Sequence, residues 1–130
     1  MNQNWQVTKT LSGRYFARVT RFYSTDITRL FGLFNDPDSW TMEAPERLLR
    51  LVPDSEISYS FDDGSRVVIR FSRIRYGLVR LELEHDLLES EEDLEACCAY
   101  WDEIMSEAHS RLLCEPVHAA IASGDRKSVV

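Results

Sequence analysis

The side chains able to do chemistry in this chain are few and scattered. Glu84, His85 and Asp86 are consecutive, and two acids beside an imidazole are the groups a proton relay needs. On a β-strand, however, neighbours point to opposite faces. His85 is then turned away from both carboxylates, and the trio forms no direct relay. His109 and His118 have no second ligand at a metal-binding spacing. Cys97, Cys98 and Cys114 contain no C-x-x-C pair, and an odd number of thiols speaks against a disulfide framework. Adjacent helical residues diverge by about 100°, so Cys97 and Cys98 do not bridge comfortably. They read as core or flank residues. There is no glycine-rich phosphate loop. No catalytic residue, metal site or cofactor site is assigned.

Charge narrows the partners. The formal net charge is -7, which repels a phosphate backbone unless a local basic stripe overrides it. Arg66, Arg70, Arg73, Arg75 and Arg80 are the only candidates for such a stripe. The strand register given below turns Arg66 and Arg70 into ordinary cross-strand ion pairs, so no nucleic-acid partner is expected. The acidic run Glu89 to Glu95 reads as a helix start and a solvated face.

The elements that must position these groups fit one domain. At 130 residues the chain can bury one core, and its 44% hydrophobic content favours a packed globule. Residues 1–13 form a polar arm, residues 14–114 the domain, and residues 115–130 a flexible tail. No apolar run approaches the roughly 18 residues of a membrane span, and Met1 to Thr10 is too polar for a signal peptide. The expected location is the cytoplasm. The first strand spans Tyr15 to Phe22. Ser24 or Thr25 then offers an N-cap, Asp26 places an acid in the first turn, and Ile27, Leu30, Phe31 and Phe34 recur at helical spacing. Asn35, Asp36 and Pro37 stop this short helix, and Trp40 follows. Thr41 to Glu46 is turn-like. Periodicity alone does not separate strand from helical turn for Arg47 to Val52; strand is the expectation.

From Glu56 the pattern is firmer. Ile57, Tyr59 and Phe61 alternate with Glu56, Ser58 and Ser60, as a half-buried strand requires. Runs from Arg66 to Arg73 and from Leu78 to His85 alternate likewise, giving a three-strand meander. A two-residue Asp63-Gly64 turn would set Ile57 opposite Arg70, mixing apolar and charged residues on one face. A loop of Asp62, Asp63 and Gly64, with Gly64 left-handed, sets Ile57 opposite Ile69 and Tyr59 opposite Val67. A loop of the same shape ending in Gly77 pairs Ile69 with Leu83, Phe71 with Leu81 and Val67 with His85. One face then carries Ile57, Tyr59, Phe61, Val67, Ile69, Phe71, Val79, Leu81 and Leu83. The other carries Glu56, Arg70 and Glu82 in a row, with Arg66 opposite Asp86. Such solvated pairs contribute a few tenths of a kcal/mol each. A polar outer face also means that the helices cover only one side.

Ser90 is the N-cap of the last element, with Glu91, Glu92 and Asp93 suiting the helix dipole. Leu94, Cys97, Cys98, Trp101, Ile104, Met105, Ala108 and Leu112 fall at spacings of three and four, an apolar stripe that lies against the sheet.

The resulting order is strand, short helix running into FNDPDSW (Phe34 to Trp40), meander strands, then a long C-terminal helix carrying Tyr100 and Trp101. It resembles the START-like or SRPBCC helix-grip superfamily, and within it the Aha-type bacterial proteins, those like the activator of heat-shock ATPase. The likeness rests on the acidic turn and Trp after the short helix and on the DDG turn before Ser65 to Phe71. It rests also on LELEHDLLESEEDLE (Leu81 to Glu95) and AYWDEIMSEAHSRLL (Ala99 to Leu113). It covers roughly residues 15–113. It implies an α+β fold, an antiparallel sheet gripping the long C-terminal helix beside a short N-terminal helix. That fold usually has six or seven strands, and only about five are countable here. A shortened sheet either closes a smaller cavity or leaves an apolar edge that a second copy of the chain can cover, as a homodimer.

The resemblance also implies a non-enzymatic protein that holds a small hydrophobic ligand between sheet and long helix. The candidate wall is Tyr59, Phe71, Leu83, Trp101 and Met105. Against this stands a simply filled core, which any two-layer domain needs. Arg73 and His85 face inward by strand parity and are candidates for a ligand's polar end. A second expectation, from a different class, is an interaction or co-chaperone-like module that docks a protein partner through its acidic helix face or sheet edge.

Overall fold

In the computed structural model the backbone is described for residues 4–122 and the side chains for residues 4–114. Six antiparallel strands form one sheet, in the spatial order β1-β2-β6-β5-β4-β3. The strands are β1 (Gln6–Lys9), β2 (Tyr15–Tyr23), β3 (Arg47–Val52), β4 (Glu56–Ser60), β5 (Arg66–Arg75) and β6 (Leu78–Leu88). A short helix α1 (Ile27–Phe34) and a long helix α2 (Glu91–Ala122) cover one side. Arg47–Val52 is a strand, as expected.

The meander has the register that its turn chemistry demands. Ile57 faces Ile69 and Tyr59 faces Val67, while Ile69 faces Leu83, Phe71 faces Leu81 and Val67 faces His85. Gly64 has φ +88°, a left-handed conformation that favours glycine, and Phe61 N–H donates to the Ser65 carbonyl across the loop at 2.9 Å. The second hairpin keeps the core register through Arg73 and Val79. It is tighter at its tip, because Arg75 pairs with Leu78 after an irregularity at Ile74, which is exposed.

Four expectations are corrected. The strand count is six rather than about five, because part of the polar arm pairs through Gln6–Arg18 and Val7–Ala17. All four residues of β1 are exposed, so an edge strand open on both faces leaves no apolar alternation to read. The arm is pinned by Trp5, whose Nε1 donates to Asp102 Oδ1 on α2 at 3.0 Å. The N-cap of α1 is Asp26, whose Oδ1 accepts from Arg29 N–H at 3.0 Å; neither Ser24 nor Thr25 fills that place. Arg73 shares the inward parity of Phe71 but is exposed, although Val79 opposite it is fully buried; near the end of β5 its long charged side chain reaches solvent. Helix α2 continues to Ala122, through the start of the expected tail at 115; the rest of that tail, 123–130, lies outside the described residues.

The α2 stripe is buried throughout, from Leu94 through Trp101, at 0% exposure, to Leu112. Each fully buried Leu, Ile or Met side chain contributes roughly 1.5–3 kcal/mol, so this seam is the main packing contact between helix and sheet. Ser90 Oγ accepts from Asp93 N–H at 3.1 Å and caps the helix start. Helix α1 ends in a tied corner. Trp40 Nε1 donates to the Leu33 carbonyl at 2.9 Å and the Tyr59 hydroxyl to the Phe34 carbonyl at 2.7 Å, which satisfies carbonyls that a helix end leaves without partners.

The outer face carries a continuous ion ladder across five strands. Arg18 pairs with Glu84 at 2.7 Å, Arg70 with Glu84 at 3.1 Å and with Glu56 at 3.8 Å, and Arg50 with Glu56 at 3.2 Å. Arg70 stands opposite Glu82 in register, but its guanidinium reaches the diagonal neighbour Glu84. Diagonal partners on one face lie within reach of long side chains.

Candidate functional site

The space beneath Trp101 is filled. Its indole meets Trp40 at 5.8 Å, Tyr100 at 5.0 Å and Phe61 at 6.1 Å between ring centroids, each near edge-to-face. The open volume lies to one side. A cleft of about 570 Å³ is bounded by the N-terminal half of α2, the β4–β5 turn and the segment before β3. Its apolar wall is Phe61, Leu88, Ala96, Cys97 and Tyr100, and its acidic rim is Glu43, Glu46, Asp62, Asp63 and Asp93. The inner wall holds two buried polar side chains, His85 at 3% and Ser65 at 2% exposure. Volumes of this order suit a small-molecule site.

Local sequence explains each wall. The DDG loop turns the chain so that Asp63 Oδ1 accepts from both the N–H and the hydroxyl of Ser65, at 2.8 and 2.6 Å; this is the self-bonding that makes Asp a turn residue. A bulge near the end of β6 breaks the β2 register between Tyr15 and Ala17, with Leu87 at φ +65°. The extra residue turns Leu88, rather than Leu87, inward to 2% exposure. The Tyr100 hydroxyl donates to the Glu43 carbonyl and so holds the segment before β3 against the helix.

The polar groups of this wall form one directed chain. Trp101 Nε1 is only a donor and lies 2.9 Å from His85 Nδ1, so Nδ1 accepts and the ring proton sits on Nε2. Nε2 then donates to Ser65 Oγ at 2.8 Å, and Ser65 donates onward to Asp63. Burial pushes the His85 pKa down to about 4, against the opposing pull of Asp63 and Asp86. The imidazole is neutral at pH 7 and locked in one tautomer. Asp63 is held below its ordinary range despite its partial burial, which alone would raise it, because Ser65 donates to it twice. A serine nucleophile needs an imidazole nitrogen free to take its proton. Here that nitrogen already carries one, and the serine proton is directed at Asp63. Burial likewise raises the Cys97 thiol, and that of Cys98 to about 11, so neither is a thiolate at neutral pH. Among the described residues no group of three or more His, Cys, Asp or Glu is arranged to hold a metal ion.

Comparison with solved structures decides the architecture. CalU16 from Micromonospora echinospora superposes with a TM-score of 0.64 at 17% identity, over 85% of this chain and 81% of that one. The AHSA1-like protein of Rhizobium etli gives 0.60 at 19% identity, over 74% and 80%. Protein CV1439 of Chromobacterium violaceum gives 0.60 at 18% identity, over 73% and 95%. This chain has the START-like helix-grip fold. No family model matches its sequence, and no curated protein matches it either.

Within the helix-grip fold, the candidate residues separate. Phe71, Leu83, Trp101 and Met105 are buried in the core and do not line the cleft. Tyr59 is buried too, with its hydroxyl committed to α1. Arg73 is remote, in solvent. Only His85, of the seven, reaches the cleft wall. Sequence reasoning missed Ser65, Leu88 and Tyr100 as wall residues and the carboxylates as its rim. The DDG turn followed by a serine carried a usable signal, since an Asp two residues before Ser favours just this bond. Nothing in the spacing announced the bulge at Leu87 or the closure by Glu43 to Glu46. Among the described residues no helix is long and apolar enough to cross a membrane.

Proposed function

We propose that this START-like protein is a non-enzymatic binder of a small, largely apolar molecule, held in the cleft between α2 and the β4–β5 turn. The observation that carries the reading is an open volume of about 570 Å³ placed against a closed polar chain, Trp101, His85, Ser65 and Asp63, that fixes its wall without offering a nucleophile. Phe61 and Tyr100 meet edge-to-face at 5.7 Å and give the ligand body an aromatic surface. The test is fluorescence titration with N-phenyl-1-naphthylamine, a neutral aromatic probe. Saturable binding by the wild type, lost in Ala96→Trp with the melting temperature kept, supports the cleft. Absence of saturable binding to this probe and to a wider panel of lipids, sterols and aromatics ends the proposal.

A second reading draws on the sheet edge. Leu48, Leu49 and Leu51 of edge strand β3 are 47%, 42% and 41% exposed, and an open apolar edge favours strand pairing with a protein partner or a second copy. Sedimentation of the wild type and of the Leu48→Lys/Leu51→Lys variant tests it; a wild-type monomer that captures no partner at low salt counts against it.

A further inference from the structure

We infer that the molecule held in the cleft is a cationic amphiphile, an apolar or aromatic body bearing an amine or quaternary ammonium group; this rests on the cleft reading above and names its ligand class. The cavity makes the site, and its charge sets the class. The cleft rim carries Glu43, Glu46, Asp62, Asp63 and Asp93, and among the described lining residues none is basic. The nitrogen-bearing side chain on the wall, His85, is neutral and has both ring nitrogens engaged, with Trp101 and Ser65. Arginines are present in the same sheet, but Arg18, Arg50 and Arg70 are tied into the ion ladder on the opposite face. On the helix side Arg21 is paired with Asp102 at 2.9 Å, and neither residue lines the cleft. A cleft lined by one sign of charge and bounded by low-dielectric walls concentrates ions of the other sign. A carboxylate or phosphate head would meet repulsion there with no donor of positive charge to offset it.

The aromatic wall acts in the same direction. Phe61 and Tyr100 border the cleft beside the acidic rim, and an aromatic face attracts an ammonium group electrostatically, most strongly where water is excluded. Apolar contacts with Leu88, Ala96 and Cys97 then hold the body, which a cation bound by carboxylates alone would not require.

The test uses three fluorescent probes with one aromatic body, titrated into the full-length protein: dansylcadaverine, a cation; N-butyl dansylamide, neutral; and dansylglycine, an anion. In low salt the cation is expected to bind roughly tenfold or more tightly than the neutral probe, with the anion weakest. The preference should shrink as salt screens the rim. Glu46→Gln/Asp62→Asn, at two exposed positions, should remove most of the cation's advantage over the neutral probe, and Glu43→Gln should do so in part. Equal or tighter binding of the neutral or anionic probe overturns the ligand class while the cleft reading stands. A cation preference untouched by all three rim substitutions overturns it as well. If none of the three probes binds while N-phenyl-1-naphthylamine does, the ligand class is overturned and the cleft reading stands; if that probe and the wider panel fail as well, both fall.

Discussion

Trp101 donates its indole N–H to Nδ1 of His85 at 2.9 Å, and this bond links the long helix to the third meander strand inside the core. It fixes the imidazole tautomer, and through it the direction of the bonds to Ser65 and Asp63. Trp101→Phe keeps most of the volume and deletes the donor. Leaving a buried acceptor without its partner costs about 1–3 kcal/mol, with a further packing loss for the smaller ring. Chemical denaturation at pH 7 should show a loss of this size, together with a His85 ring whose NMR signals report exchange between tautomers. A variant as stable as the wild type would mean that the bond does not restrain the core.

Acid should weaken the fold through His85. Its native pKa, about 4, lies below the value near 6.5 of an unfolded histidine. Between these values the unfolded chain binds a proton that the native chain does not. Stability from this group is complete above about pH 6.5, falls as the pH drops towards 4, and is flat below. Spread over that window the loss is about 3 kcal/mol. Asp63, depressed in the fold, adds loss in the same direction at lower pH. Subtracting the pH profile of His85→Gln, whose amide can accept from Trp101 and donate to Ser65, isolates the histidine. Identical slopes in the two proteins would rule out the neutral buried ring.

The outer-face ladder should matter little by comparison. Arg70 is about half exposed, with a side-chain exposure of 46%, and solvent screens its pairs with Glu84 and Glu56. A double-mutant cycle over Arg70→Ala and Glu84→Ala should return a coupling of about 0.2–1 kcal/mol that declines with added salt. A coupling well above that range would show that the ladder, rather than the helix seam, organises the sheet.

The fold was legible where local chemistry and burial agreed. Gly64 had to be left-handed and Ile57 had to face Ile69, and together those two demands fixed the register of three strands. The α2 stripe was legible for the same reason, since each of its residues repeats at the helical period and each is buried. β1 was not legible, because an edge strand exposed on both faces has no apolar period. The site was less legible still. Parity put His85 on the inward face but could not show that Trp101 and Trp40 fill the space beneath the helix. The cleft depends on Leu87 in a bulge and on Tyr100 holding the Glu43 carbonyl, which join segments far apart in sequence without any repeating pattern.

The location of the bound molecule is tested most directly by mapping amide NMR shifts during titration with N-phenyl-1-naphthylamine. Shifts that saturate and cluster at Phe61 to Ser65, His85, Leu88 and Ala96 to Tyr100, leaving Phe71, Leu83 and Met105 still, are the expected result. Saturating shifts centred on those core residues, or along β3, would contradict a ligand site in this cleft.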